Sequence, residues 1–248
     1  MGVDRSDEEG YFGERVAAFY DEHSTGMSDP EVVGPVVEML AGFAGDGDAL
    51  EFGIGTGRIA VPLAERGVRV AGIDNSEAML SRLRAKPGAE AMDIVLGDFA
   101  GTRVDGEFSV VYLVFNTISN LVTQDAQVAC FQNAADHLSR GGRFVIENGV
   151  PDLQSLPPGQ TVLPFRADPE GFSFDVYDVV TQRFSSQHFN IFDGRLEAFP
   201  VEFRYAWPAE LDLMARLAGM RLQDRWAGWR REPFTALSPS HVSVWQKP

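Results

Sequence analysis

EFGIGTG, residues 51–57, begins within ALEF, an apolar segment that starts at Ala49. It is followed by IAVPLAERG, a segment of helical composition that ends at Gly67. The flanking segments predict a short strand and a helix. A glycine loop in this position lets the backbone approach a bound nucleotide, because glycine has no side chain and adopts positive φ angles. Residues 49–67 therefore predict a nucleotide-binding strand–loop–helix unit.

The spacing of the glycines argues against a dinucleotide such as NAD. The dinucleotide pattern is Gly-x-Gly-x-x-Gly, and counted from Gly53 its third glycine would fall at Arg58. The sequence instead places glycines at 53, 55 and 57 and an acid at Glu51. An ordinary glycine-rich turn between a strand and a helix is the alternative explanation of the loop.

The segments around the loop alternate between strands and helices. Further strands are predicted at 68–74, 92–98, 108–116 and 143–149, with helices at 76–85 and 125–138, the latter stopped by Gly141-Gly142. The strands are continuous apolar runs, which is typical of a parallel sheet buried on both faces. We expect an α/β fold, a Rossmann-like open, mostly parallel sheet with helices on both faces.

The chain outside this region predicts additional elements. Helices are expected over residues 11–23 and from Asp29-Pro30. Residues 172–207 have hairpin spacing and a turn signal at Asp193-Gly194, which predicts an antiparallel excursion of two to four strands after the fifth strand. A helix over 208–219 and strands at 220–229 and 241–246 complete the chain.

Five elements together resemble the class I S-adenosylmethionine (SAM)-dependent methyltransferases. The acidic-x-Gly-x-Gly-x-Gly pattern at 51–57 is similar to the first motif of that family, and Asp74 ends the second strand. GDF at 97–99 ends the third strand, VVYLVFNTISN at 110–120 leaves the fourth, and LSRGGRFVIEN at 138–148 leads into the fifth. The match covers residues 49–148 in the family's order. It is specific for the fold and the cofactor and does not identify the substrate.

The resemblance implies that these elements bind SAM and release S-adenosylhomocysteine. Asp74 would accept hydrogen bonds from the two ribose hydroxyls, Asp98 would bond the adenine amino group, and the backbone of Phe99 would meet the ring. Met79 would pack either on the adenine or in the helix core. The residues predicted to bind the cofactor are Glu51, Gly53, Ile54, Gly55, Gly57, Asp74, Asn75, Met79, Asp98, Phe99 and Phe115.

The similarity also suggests one methyltransferase domain, 1–248, in four parts. These are an N-terminal helical lid at 1–45, a SAM-binding core at 46–150, an antiparallel insertion at 151–207, and a C-terminal helix and strands at 208–248 that complete the sheet. In similar enzymes the lid and the insertion close over the site. Candidate catalytic residues lie in the lid and just beyond the fourth strand: Tyr11, Tyr20, Phe115, Asn116 and Asn120.

Asn120 takes the place where relatives often carry a histidine. No His/Asp or Ser/His pair is apparent around the four histidines, and His137 is expected at the surface. A hydroxyl acceptor needs a base held close, whereas an amine needs mainly to be positioned. The absence of such a pair therefore favours a nitrogen acceptor.

Several acceptor classes are disfavoured by missing motifs. Asn116-Thr117-Ile118 stands where enzymes that methylate planar amino groups carry [Asp/Asn]-Pro-Pro-[Tyr/Phe], and Cys130 lies in a helix rather than at a cytosine-C5 nucleophile position. No acidic cluster suggests Mg²⁺, so no metal is expected. The architecture resembles actinobacterial-type tailoring enzymes that methylate amino sugars and antibiotic precursors, usually on nitrogen. An O-methyltransferase acting on a sugar or polyketide hydroxyl and a non-catalytic SAM-binding protein are the alternatives.

Acidic composition limits the other partners of the chain. The formal net charge is −15, and the densest basic cluster is only Arg225, Arg230 and Arg231. Such a chain repels phosphate backbones and anionic lipids, so we expect a small-molecule acceptor and neither nucleic acid nor membrane. The single cysteine fits a reducing cytoplasm. The edges of the excursion could pair between chains, which leaves a homo-oligomer open.

Overall fold

The computed structural model describes residues 17, 25–192 and 194–248, and the structural statements below refer to these residues. The rest of the expected helix at 11–23, with the candidate residues Tyr11 and Tyr20, lies outside them, as does Asp193 of the expected turn.

A seven-stranded sheet forms the centre of the fold. Its order is β3-β2-β1-β4-β5-β11-β10, with β1 to β5 parallel and β11 antiparallel to both of its neighbours. This confirms the expected open, mostly parallel sheet. The strands are β1 Ala49–Phe52, β2 Val70–Asp74, β3 Asp93–Leu96, β4 Phe108–Leu113, β5 Leu138–Gly149, β10 Arg221–Trp226 and β11 Ser240–Gln246.

Helices cover both faces of this sheet. Three pack on one face through a core that includes Leu40, Leu63 and Leu80, and two pack on the other around Phe131 and Phe144. The helices are α1 Pro30–Ala44, α2 Ala60–Glu65, α3 Glu77–Arg84, α4 Gln124–His137 and α5 Pro208–Leu217. Among the helices described, none combines the length and apolar composition needed to cross a membrane.

A second sheet is inserted between β5 and α5. It is antiparallel in the order β6-β7-β8-β9, with β6 Val162–Asp168, β7 Gly171–Asp178, β8 Arg183–Phe192 and β9 Arg195–Arg204. The expected excursion is therefore present with four strands. Its first strand lies inside the expected insertion at 151–207 but begins ten residues before the segment 172–207 whose pattern predicts strands. The pattern missed β6 because this is an edge strand containing Pro164 and a bulge next to it, which interrupts the alternation of apolar residues.

Two of the boundaries that differ from the prediction have a clear structural cause. The fourth strand ends at Leu113, because Phe115 and Asn116 adopt left-handed φ angles of 54° and 60° and start a turn. Gly141 and Gly142 do not stop α4; they lie inside β5, which begins directly at Leu138. A Cβ on Gly142 would lie 3.1 Å from the Phe108 carbonyl oxygen, so glycine permits the irregular pairing of β4 with β5 there.

His137 is buried, and the prediction of a surface position was wrong. Its Nε2 accepts a hydrogen bond from the Val104 backbone at 3.0 Å, and its Nδ1 lies 2.8 Å from the Asn133 carbonyl oxygen. One acceptor and one donor nitrogen correspond to a neutral imidazole, and burial lowers the pKa of His137. This histidine therefore ties α4 to the loop before β4.

A buried ion pair joins the second sheet to the helices of the first. Arg204 at the end of β9 donates to Gln127 of α4 and, at 2.7 Å, to Glu210 of α5. Gln182, which follows β7, donates to the second Glu210 oxygen at 2.7 Å. The arginine side chain is only 4% exposed. These hydrogen bonds fix the position of the second sheet over the first.

His241 lies fully buried in β11. Its Nδ1 lies 2.8 Å from the Ser243 hydroxyl, and its Nε2 has no hydrogen-bond partner among the described residues. Burial, reinforced by the charge of Arg225, lowers the pKa of His241 to about 4. The unfolded chain binds this proton at its ordinary pKa of about 6.5. Between these two values the unfolded state holds more protons, so stability falls as the pH falls.

We expect the stability of the wild type, relative to His241→Gln, to decrease by about 2 kcal/mol between about pH 7.5 and pH 5. Urea unfolding of both proteins at each pH measures this difference. Other titrating groups, such as Glu51, are common to both proteins and cancel. A difference that stays constant with pH would contradict the buried, neutral state of His241.

Candidate active site

The glycine loop between β1 and α2 is held down on its neighbours. The backbone amides of Gly53 and Ile54 donate to the Ile73 carbonyl of β2 at 2.8 and 3.1 Å. A Cβ on Gly53 would lie 2.6 Å from Thr117, and one on Gly57 would collide with Leu83. Both glycines have positive φ angles, so they are required for this close packing.

Gly55 differs from the other two glycines because it faces open space. It has φ 55°, and the nearest heavy atom to an added Cβ would be 4.0 Å away. Its amide donates to Asp74 Oδ2 at 2.8 Å, while Asp74 Oδ1 accepts from the Ser76 amide at 2.9 Å. Burial raises the pKa of Asp74, and these backbone hydrogen bonds oppose that shift. The carboxylate thus fixes the loop to the start of α3.

A cavity of about 540 Å³ lies above this loop, at the carboxyl ends of the parallel strands. We call it the first cavity. Asp98, exposed at the end of β3, lines it and accepts a hydrogen bond from the Ala100 amide at 2.8 Å. Met79 lines it too, although its side chain is 2% exposed and also belongs to the core. The predicted site residues brought together here are Gly53, Gly55, Asp74, Asn75, Met79, Asp98, Phe99 and Asn120.

Other predicted cofactor residues lie beneath the loop rather than in the first cavity. Glu51 is 3% exposed and accepts a hydrogen bond from the Tyr112 hydroxyl at 3.0 Å. Burial raises its pKa to about 8. Ile54 is buried against Gly72, and Gly57 packs on Leu83. These residues support the loop from below.

Phe115 and Asn116 lie at the turn that follows β4. The Phe115 ring packs under the Arg58 guanidinium, with 3.6 Å between Arg58 Cζ and the ring centroid. Phe115 does not line the first cavity. Asn116 accepts a hydrogen bond from the Gly149 amide of β5 through Oδ1. It lines a second cavity, on the other side of the turn.

The second cavity, of about 370 Å³, lies between the ends of β4 and β5 and the inner face of the second sheet. The 3₁₀ turn Thr117–Asn120 separates it from the first: Thr117 and Asn120 line the first cavity, whereas Ser119 lines the second. Aromatic rings form much of its wall: Phe165, Tyr177, Phe184, Phe203 and Tyr205.

A row of four polar side chains, which the sequence analysis does not predict, crosses this aromatic wall. Asp175 and Ser186 pair across β7 and β8, as do Ser173 and His188, so all four project from the same face. The His188 nitrogens lie 3.2 Å from the hydroxyls of Ser173 and Ser186. The alternation FSFDVYD at 172–178 was the available signal, but the register with β8 was needed to bring acid and histidine together. A His/Asp cluster is therefore present, contrary to the expectation from the sequence.

The arrangement of the first cavity fits SAM. Gly55 leaves open space above the loop for the ligand. Asp74 ends β2, and Asp98 follows the end of β3 by two residues. Asp74 keeps lone pairs beyond the two amides that it accepts. Within residues 25–192 and 194–248, no group of three or more His, Cys, Asp or Glu side chains could hold a metal ion. The sheet order brings Gly55, Asp74 and Asp98 together where the resemblance to class I SAM-dependent methyltransferases predicts them.

Comparison with known proteins gives the family. Residues 49–142 match the model described as a methyltransferase domain. The chain is 30% identical over 205 residues to the cypemycin N-terminal methyltransferase of a Streptomyces species, covering 80% of this chain and 82% of that protein. The CcbJ methyltransferase from Streptomyces caelestis superposes with a TM-score of 0.85 at 36% identity, covering 97% of this chain and 99% of that one. The chain belongs to the class I SAM-dependent methyltransferases.

More distant structures share the fold. The SAM-bound amino pentose methyltransferase CalS10 from Micromonospora echinaspora has a TM-score of 0.68 at 19% identity, over 92% of this chain and 96% of that one. At this identity the likeness concerns the fold alone.

Proposed function

We propose that this methyltransferase moves the methyl group of SAM to an amine of a small molecule, such as an amino sugar or an antibiotic precursor. The turn Thr117–Asn120 carries the proposal, because it lies between the two cavities and contributes residues to both. SAM in the first cavity and an acceptor in the second would both contact this turn, and the methyl group would be transferred beside it, where the two molecules approach each other. One relative is named as the N-terminal methyltransferase of cypemycin, and an amine is the group expected at a peptide's N-terminus, which supports the choice of nitrogen.

The residues of the first cavity have distinct roles in this proposal. Asp74 would accept hydrogen bonds from the ribose hydroxyls, and Asp98 would accept one from the adenine amino group. Phe99 and Met79 would pack against the adenine ring. Bound SAM supplies an electrophilic methyl group on a positively charged sulfur. The chain itself contributes mainly position: the loop, the turn and the aromatic wall hold the reacting groups and exclude water, and such positioning can lower a barrier by about 7–11 kcal/mol.

Methylation of a hydroxyl is the second candidate. The row containing Asp175, Ser186 and His188 contains a histidine that could take up a hydroxyl proton, and burial lowers the pKa of His188, so its neutral, basic form is favoured. The amine is preferred because aromatic faces and a carboxylate together suit a cationic group.

Turnover with matched acceptors tests the proposal. Amino sugars and small N-terminal amines are incubated with SAM beside the same compounds carrying a hydroxyl in place of the amine, and S-adenosylhomocysteine and the methylated product are measured by mass spectrometry. We expect product only from amines. Product only from the hydroxyl compounds would favour O-methylation. SAM binding without product from any acceptor would contradict methyl transfer to these classes.

Gly55→Ala is expected to lower SAM affinity at least tenfold, about 1.4 kcal/mol, because the methyl group enters the first cavity at a positive φ angle. Gly34→Ala in α1 is the matched control, since Gly34 also has nothing within 4 Å of an added Cβ but lies in a regular helix. Calorimetric titration with SAM compares the two. Equal affinities would show that the first cavity is not where SAM binds.

A further inference from the structure

The charged side chains that line the second cavity are negative. The charged residues among those lining it are Asp152 and Asp175, and both are acidic. Asp152 is exposed and bonded to Ser155 at 2.7 Å, whereas Asp175 is partly buried on the inner face of β7. The wall around Asp175 is aromatic, so a carboxylate there interacts strongly with any cation that enters.

The hydrogen bonding of Asp175 leaves capacity for a ligand. Its Oδ2 accepts from the Tyr177 hydroxyl at 3.3 Å, while Oδ1 is buried and has no hydrogen-bond partner among the described residues. Burial raises the pKa of Asp175, and hydrogen bonding to Ser186 and Tyr177 and the electrostatic effect of His188 oppose that shift. A buried acceptor atom without a partner is costly, and a donor from a ligand would remove that cost.

Arg166, a cationic residue on a strand next to Asp175, already has an anionic partner. Arg166 on the adjacent strand β6 pairs with Asp168 at 2.6 Å and donates to Asn190 at 2.7 Å. It is not among the residues lining the cavity. The Asp175 carboxylate is therefore not neutralised by a side chain of the cavity wall.

We propose that Asp175 is the specificity-determining residue that binds the acceptor as an ammonium ion through Oδ1. This rests on the proposed function, since it places the acceptor in the second cavity. Before methylation the nitrogen must lose a proton, and Asp175 can accept it: an N–H bond breaks, an O–H bond forms on the carboxylate, and nitrogen keeps its electron pair. Aromatic rings around the site hold the carbon skeleton of the acceptor.

Binding of two isosteric probes tests this role without any need for turnover. Benzylamine and benzyl alcohol have the same size and differ in carrying an ammonium or a hydroxyl group. Each is titrated near neutral pH into the wild type, Asp175→Asn and Asp178→Asn, and followed by ligand-observed NMR. Asp178 is the matched control, because it lies on the same strand, does not line the cavity, and accepts hydrogen bonds from the turn residues Val180 and Thr181.

We expect the wild type to bind benzylamine at least tenfold more tightly than benzyl alcohol, and Asp175→Asn to reduce that ratio to about threefold or less. Asp178→Asn should keep the wild-type ratio. Since the net charge of −15 attracts amines generally, the comparison between variants is decisive. A ratio unchanged by Asp175→Asn, or no preference in the wild type, would overturn the inference.

Two further measurements separate this inference from the proposed function and from misfolding. SAM affinity, measured by calorimetry, should be equal in the wild type and Asp175→Asn. If the wild type does not bind SAM, the proposed function is contradicted. If it binds SAM but does not prefer benzylamine to benzyl alcohol, only the role of Asp175 is contradicted. If Asp175→Asn does not fold, Asp175→Ser replaces it, because Ser173 already occupies the same face of β7.

Discussion

Asp74→Ala is expected to lower the affinity for SAM at least a hundredfold, about 2.7 kcal/mol. The carboxylate accepts from the amides of Gly55 and Ser76, so it fixes the glycine loop against the start of α3. In our proposal it also accepts the ribose hydroxyls of SAM. Hydrogen bonds to a charged group are worth about 1.5–3 kcal/mol each, so loss of even part of this set accounts for the effect. Calorimetric titration with SAM measures it.

Two other substitutions control this experiment. Asp93→Ala removes an exposed carboxylate at the opposite end of the adjacent strand β3, and it should leave the affinity for SAM unchanged. Asp74→Asn keeps the size of the side chain but can accept only through one oxygen, so one of the two backbone amides loses its partner. It should therefore also weaken binding. Wild-type affinity in Asp74→Ala would exclude the first cavity as the ribose site.

The central sheet could be predicted because its determinants are local in sequence. The strand–loop–helix unit at 49–67 and the apolar runs that follow reveal a parallel sheet, and the carboxyl ends of parallel strands meet at one edge. Residues far apart in the chain, such as Gly55, Asp74 and Asp98, therefore line one cavity. The glycine loop and the acids at the strand ends could therefore be placed together from the sequence. The wall that β9 contributes, at Pro200 to Glu202, could not.

The second cavity could not be predicted in this way. It depends on the register between β7 and β8, which brings Asp175 opposite Ser186. A slip of β8 by one residue would turn Ser186 to the other face and separate it from Asp175. No short-range signal in the sequence specifies that register. The same limit explains His137, whose burial depends on the path of the loop at Val104 rather than on its own helix.

The turn after β4 shows a third limit. An apolar run predicted a strand as far as Asn116, but Phe115 and Asn116 adopt left-handed φ angles that non-glycine residues rarely adopt. Tertiary contacts hold them there: the Phe115 amide donates to Glu147 at 2.9 Å, and Asn116 accepts from Gly149. Both partners belong to β5, so local preference gives way to contacts with a distant strand.

Arg204→Ala is expected to reduce the free energy of unfolding by about 3–5 kcal/mol. The arginine is 4% exposed and Glu210 is 16% exposed, so removing the arginine leaves a largely buried carboxylate without its counter-charge. Burial raises the pKa of Glu210, but hydrogen bonds from Arg204, Gln124 and Gln182 outweigh this and hold it below its ordinary value. Urea unfolding of the two proteins measures the difference.

An exposed pair in the same sheet provides the control. Arg183 and Glu202 lie 3.3 Å apart on β8 and β9 with side chains 45% and 51% exposed, so Arg183→Ala should cost at most about 1 kcal/mol. The double variant Arg204→Met, Glu210→Gln should recover most of the loss, because it removes the uncompensated charge together with its partner. A cost for Arg204→Ala no larger than that of Arg183→Ala would show that the second sheet is held by its apolar contacts alone. A large cost that the double variant recovers would show that the unpaired Glu210 charge, rather than lost packing, causes the destabilisation.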